Sequence, residues 1–234
     1  MHQEDPGRLD ALSARLDHRF DRPALLRQAL THASGVARGR HGDSYERLEF
    51  LGDRVLSLVV AELLIDGFPD EREGEIARRH AALVRRETLA EVAAGIDLGA
   101  AILLSRGEAE AGGRENPAIL ADVCEAVIAA LYIDGGLACA RGFIERHWQP
   151  RIDAEARPPM DAKTTLQEWA QGRSLPLPSY RETGREGPDH GPVFTVEVAV
   201  VGQASVGGTG ASKRAAEQAA AARLLRTLGR WPPE

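Results

Sequence analysis

The sequence predicts two folds in one chain: an all-α domain over residues 8–150 and a small α+β domain, α-β-β-β-α, over 161–230, joined by a linker at 151–160. Three observations predict this. The first 150 residues repeat helical periodicity between Gly- or Pro-containing breaks and contain no alternating strand. "DAEARPPM" then interrupts the pattern, and beyond it "VFTVEVAVVG" alternates in the manner of a strand. Charge divides at the same place: nine Lys/Arg against eight Asp/Glu lie from Asp161 onward, leaving 20 against 27 before it.

Taken in order, "PGRLDALSARLDHRF" is a short amphipathic helix, and in "RPALLRQALTH" Pro23 suits a first helical turn. A longer helix follows from about Tyr45 to Asp66. Then come "EGEIARRHAALVRRETLAEVAAGI" as one helix, "NPAILADVCEAVIAALYIDGG" and "LACARGFIERHWQPRI". The breaks are "GFPD", "GIDLGA", "AGGRENP" and "DGG". In the second part "KTTLQEWAQGR" is helical and "PSYRETGREGPDHGP" runs from a strand into a turn-rich loop. Phe194, Val196, Val198 and Val200 line one face of the next strand. "ASVGGTG" is a third strand with its turn, and "SKRAAEQAAAARLLRTL" a closing helix. No internal repeat is present.

Composition narrows the function. The apolar runs are broken by charges well short of the roughly 20 residues that span a bilayer, so no membrane association is expected. The polar opening "MHQEDPGRLD" does not have the pattern of a secretory signal. Cys124 and Cys139 fit no metal-ligand spacing and require no disulfide, which points to a reduced, cytoplasmic setting. A net charge of −6 opposes a nucleic-acid partner for the chain as a whole, but the near-neutral second part softens that objection.

The chemistry-bearing pattern is "YERLEFLGDRVLSLVV", residues 45–60, an apolar helix carrying three acids. At about 100° per residue, Glu46, Glu49 and Asp53 share an arc of roughly 60°. Leu48, Leu51, Val55, Leu58 and Val59 occupy the opposite side, and Phe50 and Leu56 flank the acids. In "AILADVCEAVIAALYI" Asp122 and Glu125 are the only charges in sixteen residues and fall on one helical face. A solvated stripe, or pairing with Arg47 and Arg54, is one explanation. Divalent-cation binding is the other, because isolated buried carboxylates are costly and converging ones resist ionisation unless a cation compensates them. All-oxygen ligation suits Mg²⁺ or Mn²⁺. The pattern alone leaves both open.

"ERLEFLGDRVL" closely resembles the signature of the ribonuclease III family. "ALTHAS" upstream, "EGEIARRHAALVRRETLA" and "ILADVCEAVIAALYIDGG" downstream follow in the family order. The region from Asp161 resembles a double-stranded-RNA-binding domain, opened by "KTTLQEWAQ" and closed by "GTGASKRAAEQAAA". The resemblance implies a bacterial-type endoribonuclease that hydrolyses double-stranded RNA with Mg²⁺, Mn²⁺ substituting. It implies an all-α catalytic domain and a homodimer formed through the signature helices. The implied products are staggered, with 5′-phosphate and 3′-hydroxyl ends, and the implied substrates are ribosomal-RNA precursors with messenger, transfer and other structured RNAs beyond them. Carried over by position, the implied metal ligands are Glu49, Asp122 and Glu125. Asp53 matches the acid that orients the attacking water and, with Glu125, the catalytic pair the family tolerates losing least. Glu46 and Glu73 match outer catalytic carboxylates that engage the scissile phosphate, although "DEREGE" also offers Glu71 and Glu75. Tyr45 stands where the family often has Asn and Ala118 where Ser is common.

On the RNA-binding side, Thr164, Gln167, Glu168 and Gln171 share one helical face opposite Leu166, Trp169 and Ala170. The resemblance makes these four minor-groove contacts and His190 a loop contact to a second minor groove. Ser212 caps the last helix. Lys213 and Arg214 oppose its macrodipole in the first turn, an arrangement that suits phosphate docking. The family's third basic residue is absent, since Ala211 precedes Ser212 and Ala215 follows Arg214, so binding should be weaker and more salt-sensitive.

Two other classes compete. A non-cleaving duplex-binding protein is disfavoured because Glu46, Glu49, Asp53, Asp122 and Glu125 are all retained. A carboxylate-bridged di-iron bundle needs Glu-x-x-His pairs, and none of the seven His residues has Glu three positions earlier. His32 and His80 have no Ser or Cys partner pattern and are expected to be structural.

Overall fold

The computed structural model describes residues 6–36, 43–154, 161–188 and 191–231, the side chains of 6–10 excepted. The chain divides into two compact units, Met1–Pro159 and Met160–Glu234.

The first unit is helical: α1 Pro6–Leu16, α2 Pro23–Ala29, α3 Glu46–Gly67, α4 Glu73–Leu83, α5 Arg86–Gly95, α6 Arg106–Glu110 and α7 Pro117–Ala154. Helix α7 is the axis. Val123, Cys124 and every residue from Ala126 to Leu131 have no solvent exposure, so this segment is apolar on all sides because neighbours surround it. It is long and apolar enough by composition to cross a membrane. Its apolar residues instead form the centre of a single protein core. Helix α3 buries Leu48, Gly52, Val55, Leu56, Val59, Val60 and Leu64, one stripe at helical spacing, against that axis.

Gly52 sets the spacing. A Cβ added there would lie 1.8 Å from the Glu125 carbonyl oxygen, so only glycine lets the backbones of α3 and α7 meet at this point. Glu49 and Asp53 therefore sit directly across from Asp122 and Glu125.

The structure differs from the sequence expectations in three places. The helix expected to run through "EGEIARRHAALVRRETLAEVAAGI" is broken between Leu83 and Arg86. Side chains take the carbonyls that a continuing helix would need: Trp148 Nε1 donates to Leu83 O at 2.9 Å, and Thr88 Oγ1 donates to Ala82 O at 2.9 Å. The "DGG" break falls where the sequence places it, between two helical stretches. Chain direction changes within α7 at Gly136, whose φ of 75° suits glycine, and the helix resumes. The kink is held by Asp134, which accepts from His18 Nε2 and from the backbone N–H groups of Asp21 and Arg22. Helix α7 continues to Ala154, into the stretch 151–160 expected as linker; residues 155–160 lie outside the described ones. Finally, Phe50 and Leu58 do not pack inward. With Ile65 they form an exposed apolar stripe on α3, 66%, 50% and 61% accessible.

The second unit comprises α8 Ala162–Gln171, strands β1 Ser179–Glu186, β2 Val193–Ala199 and β3 Val206–Gly210, and α9 Lys213–Thr227. The strands form an antiparallel sheet in the order β1-β2-β3, with a bulge between Glu182 and Gly184. Val196, Val198 and Val200 are buried, as the alternation predicts. Leu166 and Ala170 of α8 and Ala220, Ala221, Leu224 and Leu225 of α9 complete that side. Asp161 caps α8 through Thr164 N at 2.8 Å and accepts from Gln218 Nε2 at 2.6 Å, tying the two helices together.

Candidate active site and RNA-binding face

Glu49, Asp53, Asp122 and Glu125 line one cavity of about 370 Å³, whose other walls are Phe50, Arg54, Arg86, Leu89 and Ala121. Two helices contribute the acids, and the close approach at Gly52 brings them together. The cavity is strongly anionic. Burial, reinforced by the charges of Asp53, Glu49 and Asp122, pushes the Glu125 carboxyl up to about 8, partly offset by Arg54. Burial likewise raises Glu49, with Asp122, Glu46 and Asp53 adding to it. Asp122 is raised by burial against the opposing pull of a Tyr45 hydrogen bond, Arg86 and His32. Burial is the largest cause for all three, and for Glu49 and Glu125 the neighbouring acids add to it.

Internal partners hold two of the four. Tyr45 Oη donates to Asp122 Oδ2 at 3.3 Å, and Asp53 forms an ion pair with the neighbouring Arg54 guanidinium. Burial and the nearby acids push the Tyr45 phenol well above its usual range, so it remains a donor. Among the described residues, no three His, Cys, Asp or Glu side chains are already gathered as a ready-made ligand set. The donor chemistry nevertheless fits a hard divalent cation: all-oxygen, anionic and under-compensated. Asp53 and Asp122 would have to turn from Arg54 and Tyr45 to join Glu49 and Glu125.

The remaining predicted acids lie outside the cavity. Glu46 is exposed at the start of α3 and accepts from Ser44 Oγ at 3.0 Å, although its charge is felt by Glu49. Glu73 is exposed at the first position of α4. Of its two neighbours, Glu71 binds the buried Arg79 guanidinium and Glu75 caps the helix through Arg72 N at 2.9 Å. Both have structural work that Glu73 is not seen to share. His32 bonds Ser34 and His80 Nε2 meets Ser57 O at 3.1 Å, consistent with structural histidines.

In the sequence Arg54 is one possible partner of the acids, and nothing marks Arg86 as one. Tyr45, a departure from the family pattern, gains its role only from the contact with Asp122. Adjacency to Asp53, and the first-turn location of Arg86 ahead of "ETLAEVAAG", were the available signals; neither indicates which way a long side chain turns.

In the second unit Thr164, Gln167, Glu168 and Gln171 are exposed on α8, opposite buried Leu166 and Ala170. Trp169 is half-buried on the core side. Ser212 Oγ caps α9 by accepting from Ala215 N at 3.1 Å. Lys213 and Arg214 are exposed in that first turn, Lys213 lying 3.6 Å from Glu182. His190 lies outside the described residues.

Comparison with known proteins accounts for both units. Residues 22–152 match the family model described as Ribonuclease-III-like, and residues 162–228 match the double-stranded RNA binding motif. The chain belongs to the ribonuclease III family. It is 52% identical to Ribonuclease 3 of Dinoroseobacter shibae, over 93% of this chain and 94% of that one. It is 49% identical to Ribonuclease 3 of Rhodopseudomonas palustris, over 94% and 80% respectively. Among solved structures, the nuclease domain of the Campylobacter jejuni enzyme superposes with a TM-score of 0.57 at 37% identity, covering 65% of this chain and 97% of that one. This ribonuclease III is accordingly an endoribonuclease of double-stranded RNA, in a family of divalent-metal-dependent nucleases.

Proposed function

We propose that this ribonuclease III hydrolyses duplex RNA in the α3–α7 cavity with Mg²⁺ held by Glu49, Asp122 and Glu125, Mn²⁺ substituting. The carrying observation is that four carboxylates from two helices line one cavity with only two guanidiniums facing them. A divalent ion bound there supplies charge neutralisation at the phosphoryl oxygen and a lower pKa for water. The chain's own groups do the rest. Asp53 accepts a hydrogen bond from the attacking water and aims it at phosphorus. The water oxygen bonds to phosphorus, the bond to the 3′-oxygen breaks, and the proton ends on that oxygen, leaving 5′-phosphate and 3′-hydroxyl ends. Tyr45 holds Asp122 until the ion arrives. Glu46 and Glu73 approach the phosphate from outside the cavity.

The exposed apolar residues Phe50, Leu58 and Ile65 on one side of α3 support a homodimer through that helix, since exposed apolar surface marks interfaces. The structural relative from Campylobacter jejuni is itself described as having a region involved in dimer formation of its nuclease domain. Two subunits, each cutting one strand, would produce staggered ends. Thr164, Gln167, Glu168, Gln171 and His190 would read minor grooves, and Ser212, Lys213 and Arg214 the phosphates between them. Ribosomal-RNA precursors and other structured RNAs, including messenger and transfer RNAs, are the proposed substrates, and the cytoplasm the proposed location.

The test is incubation of a 5′-labelled RNA duplex with the protein in Mg²⁺, in Ca²⁺ and in chelator, beside Glu125→Gln. Cleavage to 5′-phosphate ends in Mg²⁺ alone, lost in the variant, is the expected result. Cleavage that survives the substitution or the chelator contradicts the mechanism.

A further inference from the structure

Arg54 is adjacent to Asp53 on α3. Consecutive side chains on a helix diverge by about 100° and do not ordinarily face each other. The Arg54 guanidinium nevertheless pairs with Asp53 and lines the acid cavity. It folds back over Phe50, one turn earlier, with its central carbon 4.4 Å from the ring centroid. Its field also reaches Glu125. The side chain remains 59% exposed, so it has a path to solvent. A long cation, bent from its own direction into a pocket of acids and seated on a ring, compensates the charge that a metal would otherwise neutralise.

We propose that Arg54 is a displaceable counter-ion of this cavity: without a divalent ion its guanidinium occupies the cation's role beside Asp53, and an arriving ion must drive it out. The inference rests on the metal-site reading given above. Its consequence is a site whose metal affinity is held down until the guanidinium leaves. Arg86, on the wall near Asp122, is the second cation of the cavity. Its pull is on Asp122, whereas Arg54 pairs with Asp53, and the displacement concerns Arg54 alone.

Mn²⁺ binding to the full chain without RNA, read by the electron paramagnetic resonance of the free ion, tests this. Arg54→Gln is expected to bind Mn²⁺ about tenfold more tightly than wild type, the size expected when one charge-assisted competitor is removed. Arg54→Lys keeps the charge but not the fork and should fall between the two. Equal or weaker affinity in Arg54→Gln overturns the proposal, because it makes Arg54 a support for Asp53 rather than its competitor. Circular dichroism verifies that each variant is folded; if Arg54→Gln is not, Arg54→Lys decides, unchanged affinity counting against the proposal. Asp122→Asn in both backgrounds locates the ion. Mn²⁺ binding absent from wild type and Arg54→Gln alike, or indifferent to Asp122→Asn, would overturn the metal-site reading itself, whereas unchanged affinity in Arg54→Gln with Asp122-dependent binding would overturn this proposal alone.

Discussion

Replacing Glu125 with Gln should make the metal-free protein more stable at alkaline pH, although it abolishes cleavage. Burial and three neighbouring acids raise this carboxyl from its ordinary 4.5 to about 8. Between those values the folded protein holds a proton that the unfolded chain has released. The stability from that proton is fully present below about pH 4.5 and is lost as pH rises through about 8. At about 1.36 kcal/mol per pH unit the whole interval corresponds to about 5 kcal/mol. The cavity is open to solvent, so about 2 kcal/mol survives screening. The amide of Gln has no such titration. Urea unfolding in chelator from pH 5 to 9 should show wild type losing about 2 kcal/mol relative to Glu125→Gln. Saturating Mg²⁺ should then restore wild type far more than the variant. Curves that remain parallel across that window would refute the reasoning, because they would mean Glu125 ionises as freely in the fold as in water.

Three further outcomes follow from the packing. Gly52→Ala places a methyl group 1.8 Å from the Glu125 carbonyl oxygen and must separate α3 from α7, costing about 3 kcal/mol or more in urea unfolding and moving the two acid pairs apart. Ile65→Asp puts a charge in the exposed α3 stripe, and sedimentation equilibrium should show the dimer constant weakened by about 100-fold or more, a monomer at working concentrations. The double substitution Lys213→Ala, Arg214→Ala should weaken duplex-RNA binding about tenfold and reduce the slope of log affinity against log salt by about two, measured in chelator on the full chain.

The acid pairs were legible in the sequence because carboxylates inside apolar helices break a strong pattern, and helical spacing assigns each pair to one face. That the two faces meet was not legible from periodicity. It depends on Gly52 and on which residue of α7 it touches. The alternation of Val196, Val198 and Val200 predicted the sheet's inner side correctly because period two leaves little freedom. The α4–α5 break is not legible in the sequence because its stop signal is tertiary: Trp148, 65 positions from Leu83, takes the carbonyl. The break at Gly136 is legible in "DGG", whereas its support, His18 and the backbone at Asp21 and Arg22, arrives from the start of the chain and is not. Phe50, which flanks the acids, and Leu58, on the opposite side, read as interior residues by hydropathy, but hydropathy does not distinguish a core from a surface that another molecule covers. Arg54 and Arg86 illustrate the limit at the site: long cationic side chains can reach in several directions, and sequence gives only their point of attachment.

The central claim is that acids from α3 and α7 share one divalent ion. Anomalous diffraction from crystals grown with Mn²⁺ measures this directly. The account predicts a single strong peak ligated by Glu49, Asp122 and Glu125, with Asp53 turned from Arg54 toward the ion's coordination shell. Peaks that leave Glu49 and Asp122 on separate ions, or a cavity whose acids remain paired with Arg54 and Tyr45 while Mn²⁺ binds elsewhere, would contradict it.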